Sequence, residues 1–344
     1  MEFEHSDRYW PYPVMDEILV VPCYLGPIEK EKDQIIIYNP HDTVLAAPKL
    51  PHSKKTLEEH IEYIQKNNIK HAFVAAEDIH FLPRCHNLEH LQITPSLYAE
   101  DFDYSPLYEM KNLKRLLCHT VYKYRPGPGI DEERVANIDY SRIPGLKCVT
   151  ILGEKGNLNI DKANGLTSLC LAECPLSDNL QGFVPQAWLE SFSVCESAIR
   201  SLDGIERARK VRRLELSVNR RLMDISALRH IKDHLIYLEI DLCGKIRDFS
   251  VLSELQNLQF LVLKGSNPIP DLSFLKDLPN LKVLHLTMNV VDGDLSWCES
   301  IPYVRIQNRK HYSHKDKDFP KDNYTDPNKV CPDGTVDSTP PTAQ

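Results

Sequence analysis

Apolar residues recur along the chain in the frame LxxLxL, with copies starting at Leu88, Leu113, Leu146, Leu166, Leu189, Val211, Leu235, Leu258, Leu281 and Ile301. A degenerate copy, Ile69, Ala72 and Val74, precedes them. From Leu166 to Ile301 the frame makes six steps over 135 residues, a mean of 22.5, whereas the earlier steps of 25, 33 and 20 are irregular. The C-terminal half is therefore the better-specified array. Within each copy the fourth and sixth positions alternate with polar or variable neighbours, as Leu284 and Leu286 do around His285, which predicts a short half-buried strand. The stretch that follows spaces its apolar residues by three, as in Ile225, Leu228 and Ile231, or Phe249, Leu252 and Leu255, or Leu272, Leu275 and Leu278, and predicts a helical turn. Between strand and turn stands a DxS triplet, at Asp224, Asp248, Asp271 and Asp294, with starts 24, 23 and 23 residues apart. Its middle residue is expected in the core and its Ser is expected to cap the turn through the side-chain oxygen. Ser296 and Glu299 add the spacing of a capping box. A strand and a turn of this size cannot bury their own apolar face, so the period implies stacked coils.

The frame resembles that of leucine-rich repeat proteins, LxxLxLxxN or LxxLxLxxC, and is most similar to the short internalin-type repeats of bacteria. The family's ladder position, eight residues after the first Leu, holds Asn219, Asn289, Cys174 and Cys243 here. In the family that position satisfies buried backbone groups between coils. Ser266, Ser197 and Glu154 occupy it elsewhere, so distortion is expected near Glu154. The resemblance implies an α/β solenoid, a leucine-rich repeat horseshoe with a parallel concave β-sheet and short helices or irregular coils on the convex side. It speaks to fold and leaves function open. Residues 1–68 are expected to form an N-terminal cap. They contain strand-like runs, DEILVVP from Asp16 and DQIIIY from Asp33, and then a helix at about 57–67. Thr56 and Glu59 have capping-box spacing, and Leu57, Ile61 and Ile64 share one face of that helix. The repeat domain is expected over 69–308, with YKYRPGPGIDEERVANIDY from Tyr122 as a loop insertion. Residues 309–344 contain no Leu or Ile and are expected to be a polar, largely flexible tail, whose first part can fold over the last coil through Tyr312 and Phe319.

Composition narrows the function classes. With 41 basic against 49 acidic residues and a net charge of −8, the 344-residue chain lacks the clustered cations of a general nucleic-acid binder. No apolar run approaches the roughly 20 residues that cross a bilayer, and the acidic start does not resemble a secretory signal. Ten cysteines without a CxxC pair favour reduced thiols, and together these features predict a cytoplasmic protein. The histidine pairs HNLEH from His86 and HYSH from His311 do not suggest a metal site. The first overlaps a strand frame, where i and i+4 do not converge, and the second lies in a polar segment without a third ligand. Cys118 falls inward, Cys174 and Cys243 fall on the ladder, and Cys148, Cys170 and Cys195 project to the concave side without the electropositive setting of a reactive thiolate. No catalytic residue, metal site or cofactor is expected.

Alternation leaves the third and fifth strand positions on the concave surface. The last five coils place Arg213 and Glu215, Tyr237 and Glu239, Phe260 and Val262, Val283 and His285, and Tyr303 and Arg305 there. Tyr237, Phe260, Val283 and Tyr303 are expected to form one column roughly 14 Å long, either an exposed aromatic and apolar patch or a row of stacked side chains that shield one another. Asp241 and Lys264, at the seventh position, flank it. Earlier coils carry Ser168, Ser191 and Ser193 instead, which makes the C-terminal half the expected binding end. Tyr, Phe and Arg on a concave surface dominate protein interfaces. The expectation is thus a non-enzymatic, protein-binding module, a cytosolic bacterial interaction protein whose partner is another protein, with toxin-neutralising immunity as one form. A secreted host-directed effector or adhesin is the alternative within the interaction class. An enzyme with its site in residues 1–55 or in the insertion after Tyr122 is the alternative of a different class.

Overall fold

Each LxxLxL copy is a strand in the computed structural model of the chain, and within each of the two units described below the strands pair in parallel. The structure describes residues 34–38, 56–76, 78–95, 102–119, 138–152, 160–174, 178–181 and 188–321. The chain divides into two compact units, Cys23–Pro175 and Leu176–Gln344 with Met1–Pro22. In the first unit, strands β1 (Gln34–Tyr38), β2 (His71–Ala76), β3 (His90–Pro95), β4 (Arg115–His119), β5 (Cys148–Leu152) and β6 (Ser168–Ala172) pair in sequence order. The run QIIIY thus lies in the sheet itself, one strand ahead of the degenerate copy at Ile69. Helix α1 (Leu57–Lys66) connects β1 to β2, with the capping box of Thr56 and Glu59 formed and Ile61 and Ile64 buried. In the second unit, β7 (Ser191–Cys195), β8 (Arg213–Ser217), β9 (Tyr237–Asp241) and β10 (Phe260–Lys264) follow in order. The short β11 (Pro268–Ile269) comes next, and then β12 (Val283–Leu286), β13 (Asn289–Val290) and β14 (Tyr303–Ile306), with β12 and β14 continuing the main sheet and β11 pairing with β13 beside it.

The frame leucines line the interior of the coils. Leu235, Leu238 and Ile240, then Leu258, Leu261 and Leu263, are fully buried. Each such side chain contributes about 1.5–3 kcal/mol of burial, which the coil gains only when the next coil covers it. Polar groups trapped between coils are satisfied at the ladder position. Asn219 is fully buried, donates from Nδ2 to the Val194 carbonyl at 2.8 Å and accepts the Ser197 amide at 3.0 Å. Cys243 Sγ donates to the carbonyls of Leu216 and Asp241, and Cys174 Sγ to those of Ile151 and Ala172. In the Leu258 coil the ladder residue is Asn267, buried and donating to the Ile246 carbonyl, whereas Ser266 is exposed. The one-residue shift follows from Gly265, whose φ of +130° only glycine adopts freely. The equivalent residue of four other coils, Glu173, Glu196, Val218 and Leu242, takes the left-handed conformation with φ of 50–57°. Three of these hold it by donating across to the next coil, Glu196 to Ser217, Val218 to Asp241 and Leu242 to Lys264. A second asparagine series runs where the strands begin: Asn87, Asn112, Asn257 and Asn280 donate to the carbonyls of Gln65, His86, Asp233 and Gln256.

The DxS triplet works in the opposite sense from the sequence expectation. Asp224, Asp248, Asp271 and Asp294 each accept the backbone amide of the Ser two residues on, at 2.8–2.9 Å, so Asp caps and Ser supplies the capped N–H. Ser296 and Glu299 form no capping box; the Glu299 amide donates to the Ser296 carbonyl. Capping by Asp extends to Asp103 with Ser105 and Asp139 with Ser141 in the first unit. The turns themselves are 3₁₀, at Ser226–His230, Ser250–Glu254, Ser273–Asp277 and Ser296–Cys298. Apolar spacing by three, without the i+4 partner, matches three residues per turn.

Residues 309–321 are packed through Tyr312 and Phe319, the two residues on which the first part of the C-terminal segment was expected to fold. Tyr312 and Phe319 are 5% and 4% exposed, and Tyr312 Oη bridges the Val290 amide and the Met288 carbonyl. The strand expected from Asp16, most of the insertion after Tyr122, the Glu154 coil position and the tail beyond 321 lie outside the described residues. Asp271→Ala is expected to lower stability by about 1 kcal/mol, as loss of a cap does, and Ser273→Ala by much less. Urea unfolding of the two variants reads this directly, and a larger loss from the Ser variant would restore the Ser-capping expectation.

Candidate functional site

Parallel register brings the expected site residues together in the second unit. Arg213, Tyr237, Phe260, Val283 and Tyr303 are successive register partners across β8, β9, β10, β12 and β14. Glu215, Glu239, Val262, His285 and Arg305 make a second column beside them, and Ser217, Asp241 and Lys264 a third. Tyr237 and Phe260 stack with ring centroids 6.3 Å apart.

Arg213, Glu215, Glu239 and Lys264 are linked through one chain of contacts that runs by way of the Tyr237 ring and hydroxyl. Ser193 Oγ donates to Glu215 Oε2 at 2.8 Å, and Arg213 Nε donates to Glu215 Oε1 at 2.7 Å, with Arg213 Nη2 on the same carboxylate. The Arg213 guanidinium lies 3.7 Å from the centroid of the Tyr237 ring. Tyr237 Oη donates to Glu239 Oε2 at 2.7 Å, and Lys264 Nζ donates to Glu239 Oε1 at 2.8 Å. Burial works against charge at Glu239, and the Lys264 ammonium and Tyr237 hydroxyl outweigh it, so this carboxyl titrates below its ordinary range. Burial likewise opposes the Arg213 charge, and Glu215 outweighs it. Burial, followed by the Glu239 charge, holds the Tyr237 phenol well above its ordinary value. Removing one partner of such a buried pair strands the other charge, at a cost of roughly 3–5 kcal/mol. The network therefore fixes rotamers along the face.

The expectation of an exposed patch is corrected here. Tyr237, Phe260, Val262 and Val283 are each 1% exposed, and Arg213 and Glu215 2%. Tyr237, Phe260, Val262 and Val283 form a dry cluster with Ile236, against which the half-buried Tyr303 packs. Partly or fully accessible members are Glu239, Asp241, Lys264, His285, Tyr303 and Arg305. The sequence reading missed two participants. Ser193 was placed on the face but not tied to Glu215, and Lys321, within 5.5 Å of the Tyr303 ring centroid, sits in a stretch that reads as tail. Ser193 could have been found from its register with Glu215.

Other candidate groups are engaged structurally. His311 bonds to the Val290 carbonyl, and His314 to Ser313 and Glu299. Burial pushes the Cys243 and Cys298 thiols up to about 12 and the Cys85 thiol up to about 11. Such thiols are protonated at neutral pH and poor nucleophiles. In the first unit, the matching first strand positions hold His71, His90 and Arg115, with the two imidazole centroids 4.2 Å apart. Burial, then the His71 and Arg115 charges, pushes His90 down to about 4.

No protein-family model matches the chain, and no curated protein matches it in sequence. Among solved structures it is similar to the internalin InlF of Listeria monocytogenes, 17% identical over 70% of this chain and 74% of that one, with a TM-score of 0.42. Internalin C2 of the same bacterium is 21% identical over 50% of this chain and 78% of that one, with a TM-score of 0.42. A chain of the mouse RP105/MD-1 complex is 14% identical over 69% of this chain and 46% of that one, with a TM-score of 0.44. The in-register parallel strands, one per coil, and the side-chain ladder between coils make the fold of each unit a leucine-rich repeat solenoid, with a regular short repeat in the second.

His285 gives this geometry a pH signature. Burial, then Lys264 and Arg305, pushes its imidazole from 6.5 down to about 4. Between those values the unfolded chain takes up a proton that the folded one refuses, so His285 withdraws stability as pH falls from about 6.5 to about 4 and nothing further below. A ring titration near 4 by NMR and a flatter acid limb in His285→Gln are expected; a midpoint near 6.5 would show a solvated ring.

Proposed function

We propose that the protein is a protein-binding leucine-rich repeat module, and that its partner docks on the sheet face of the second unit at the end marked by Lys264, His285, Tyr303 and Arg305. The observation that carries this reading is the combination of partly exposed Tyr303 and exposed Arg305 on the last strand, with Tyr303 packed against the apolar column of Val283, Phe260 and Tyr237 beside it. Aromatic and Arg anchors that are already fixed by their neighbours lose little freedom on association, and such groups dominate interface energies. The site set is the one read from the strand frame, Arg213, Glu215, Tyr237, Glu239, Asp241, Phe260, Val262, Lys264, Val283, His285, Tyr303 and Arg305. Its buried members position the accessible ones. A non-enzymatic role is supported by thiols driven toward the inert form and by carboxylates committed to caps and ion pairs.

The finer reading is a cytosolic bacterial binder, with neutralisation of a toxin as its specific form. No helix among the described residues is long and apolar enough to cross a membrane. Recovery of the protein outside intact cells would favour the exported effector instead. Tyr303→Ala combined with Arg305→Glu is expected to weaken the captured partner's affinity at least about tenfold, which is about 1.4 kcal/mol, while the variant stays folded by circular dichroism with a somewhat lower thermal midpoint from the lost Tyr303 packing. Equal affinity by calorimetry for the double variant and the parent would remove this end of the face from the interface.

A further inference from the structure

Cations on the sheet face of the second unit are mostly committed to a partner. Arg213 is paired with Glu215 and Lys264 with Glu239. At the margin, Lys321 is held by Asp316 and Lys282 by the side-chain oxygen of Gln259. His285 and Arg305 are the exception: among the described residues neither side chain makes a hydrogen bond or an ion pair. They are also neighbours. Both occupy the fifth position of their strands, β12 and β14, and they are register partners, so the two side chains leave the same face from backbones about 4.8 Å apart. His285 is half-buried and Arg305 exposed. The charges that face the imidazole are Lys264 from β10, Arg305 from β14, Glu239 from β9 and Asp316 from the segment after β14. Of these the two cations outweigh the two carboxylates and, together with burial, keep the ring neutral at neutral pH. An uncompensated positive field therefore stands at one point of a face whose other cations are engaged.

We propose that His285 and Arg305 form a carboxylate-binding pair, which takes the Asp or Glu side chain of the partner protein docked on this face. The inference rests on the docking surface proposed above and names the chemistry which that surface selects. A guanidinium supplies a fork of N–H donors that matches the two oxygens of a carboxylate, and the imidazole adds one more donor. Together they offer one fixed positive charge, and a second once a proton is taken up, which suits a monoanion. A phosphate dianion would draw on further cations, and the lysines of this end, Lys264 and Lys321, are already committed to Glu239 and Asp316. Tyr303, two residues from Arg305 on the same strand, sets an aromatic surface beside the pair, which fits an acidic side chain carried on a protein better than a free ion. Binding is coupled to protonation. A carboxylate brought against the imidazole favours its charged form and offsets the repulsion from Lys264 and Arg305. The free ring is neutral above about 4, so docking takes up a proton in the mildly acidic range and tightens as the pH falls into it.

Acetate, followed by NMR on the full chain, tests the pair without a partner. At pH about 6 the free ring is neutral, and a carboxylate within reach raises an imidazole by about one to three pH units, so acetate is expected to move the His285 ring resonances saturably toward the imidazolium position. Arg305→Gln should abolish that movement, and Lys245→Gln, an equal loss of charge at another exposed position, should keep it. Movement no larger than sodium chloride gives at the same ionic strength would overturn the proposal. So would a stronger response to inorganic phosphate than to acetate, which would mark a phosphoryl site. Docking is read separately, from the affinity of the captured partner for Tyr303→Ala/Arg305→Glu. Loss of that affinity without an acetate response would leave the docking surface standing and strike the carboxylate. An acetate response with that affinity unchanged would strike the partner as the carboxylate's source.

Discussion

A coil of twenty-odd residues cannot keep its own leucines dry, and every other feature of the structure follows from that dependence. Leu238 and Leu261 are fully buried because flat coils lie against one another in register. Close stacking traps carbonyls and amides between coils, where each unpaired group would cost about 1–3 kcal/mol. Asn219 resolves this at one junction with two bonds, and the thiols of Cys174 and Cys243 resolve it at others with weaker ones. The asparagines at the strand starts repeat the device on the outer edge. Left-handed backbone at Val218 and Leu242 is tolerated for the same reason. The amide it turns outward meets a carbonyl of the next coil.

Stacking also creates the site. Register places like positions side by side, so a choice made once per coil becomes a column. In the second unit these choices produce alternating roles, apolar along Phe260 and Val283 and charge-paired along Glu215, Glu239 and Lys264. Opposite charges one strand or one position apart hold each other in fixed rotamers, which a rim of free lysines would not do. Tyr303 and Arg305 then stand at the last strand of this face, partly exposed and exposed, respectively.

Much of this was legible in the letters. The strand positions, their order and the members of the column follow from LxxLxL, since strand alternation fixes which side each residue takes. The Asp and Ser roles were not separable by spacing, because either side chain can reach an amide in that turn; the recurrence of DYS at Asp103 and Asp139, on an irregular period, was the overlooked clue. The shift from Ser266 to Asn267 depends on a glycine dihedral that no pattern of apolar residues encodes. Burial of Phe260 was beyond local reading for a different reason. Alternation says which face a side chain is on, and only the tertiary structure says whether that face is covered. Lys321 escaped notice because it lies beyond Phe319, the last aromatic expected to anchor the segment, and apolar spacing does not say where a lysine reaches.

Native-state hydrogen exchange at the inward strand amides tests the mutual dependence of the coils most directly. Amides of Leu214, Leu238, Leu261 and Leu284, one in each of four neighbouring strands, should open together with nearly one free energy, and the Asn219→Ala variant should lower all four in step. Exchange in which Leu214 falls while Leu284 keeps its protection would contradict the account, since each coil would then be keeping its own core dry.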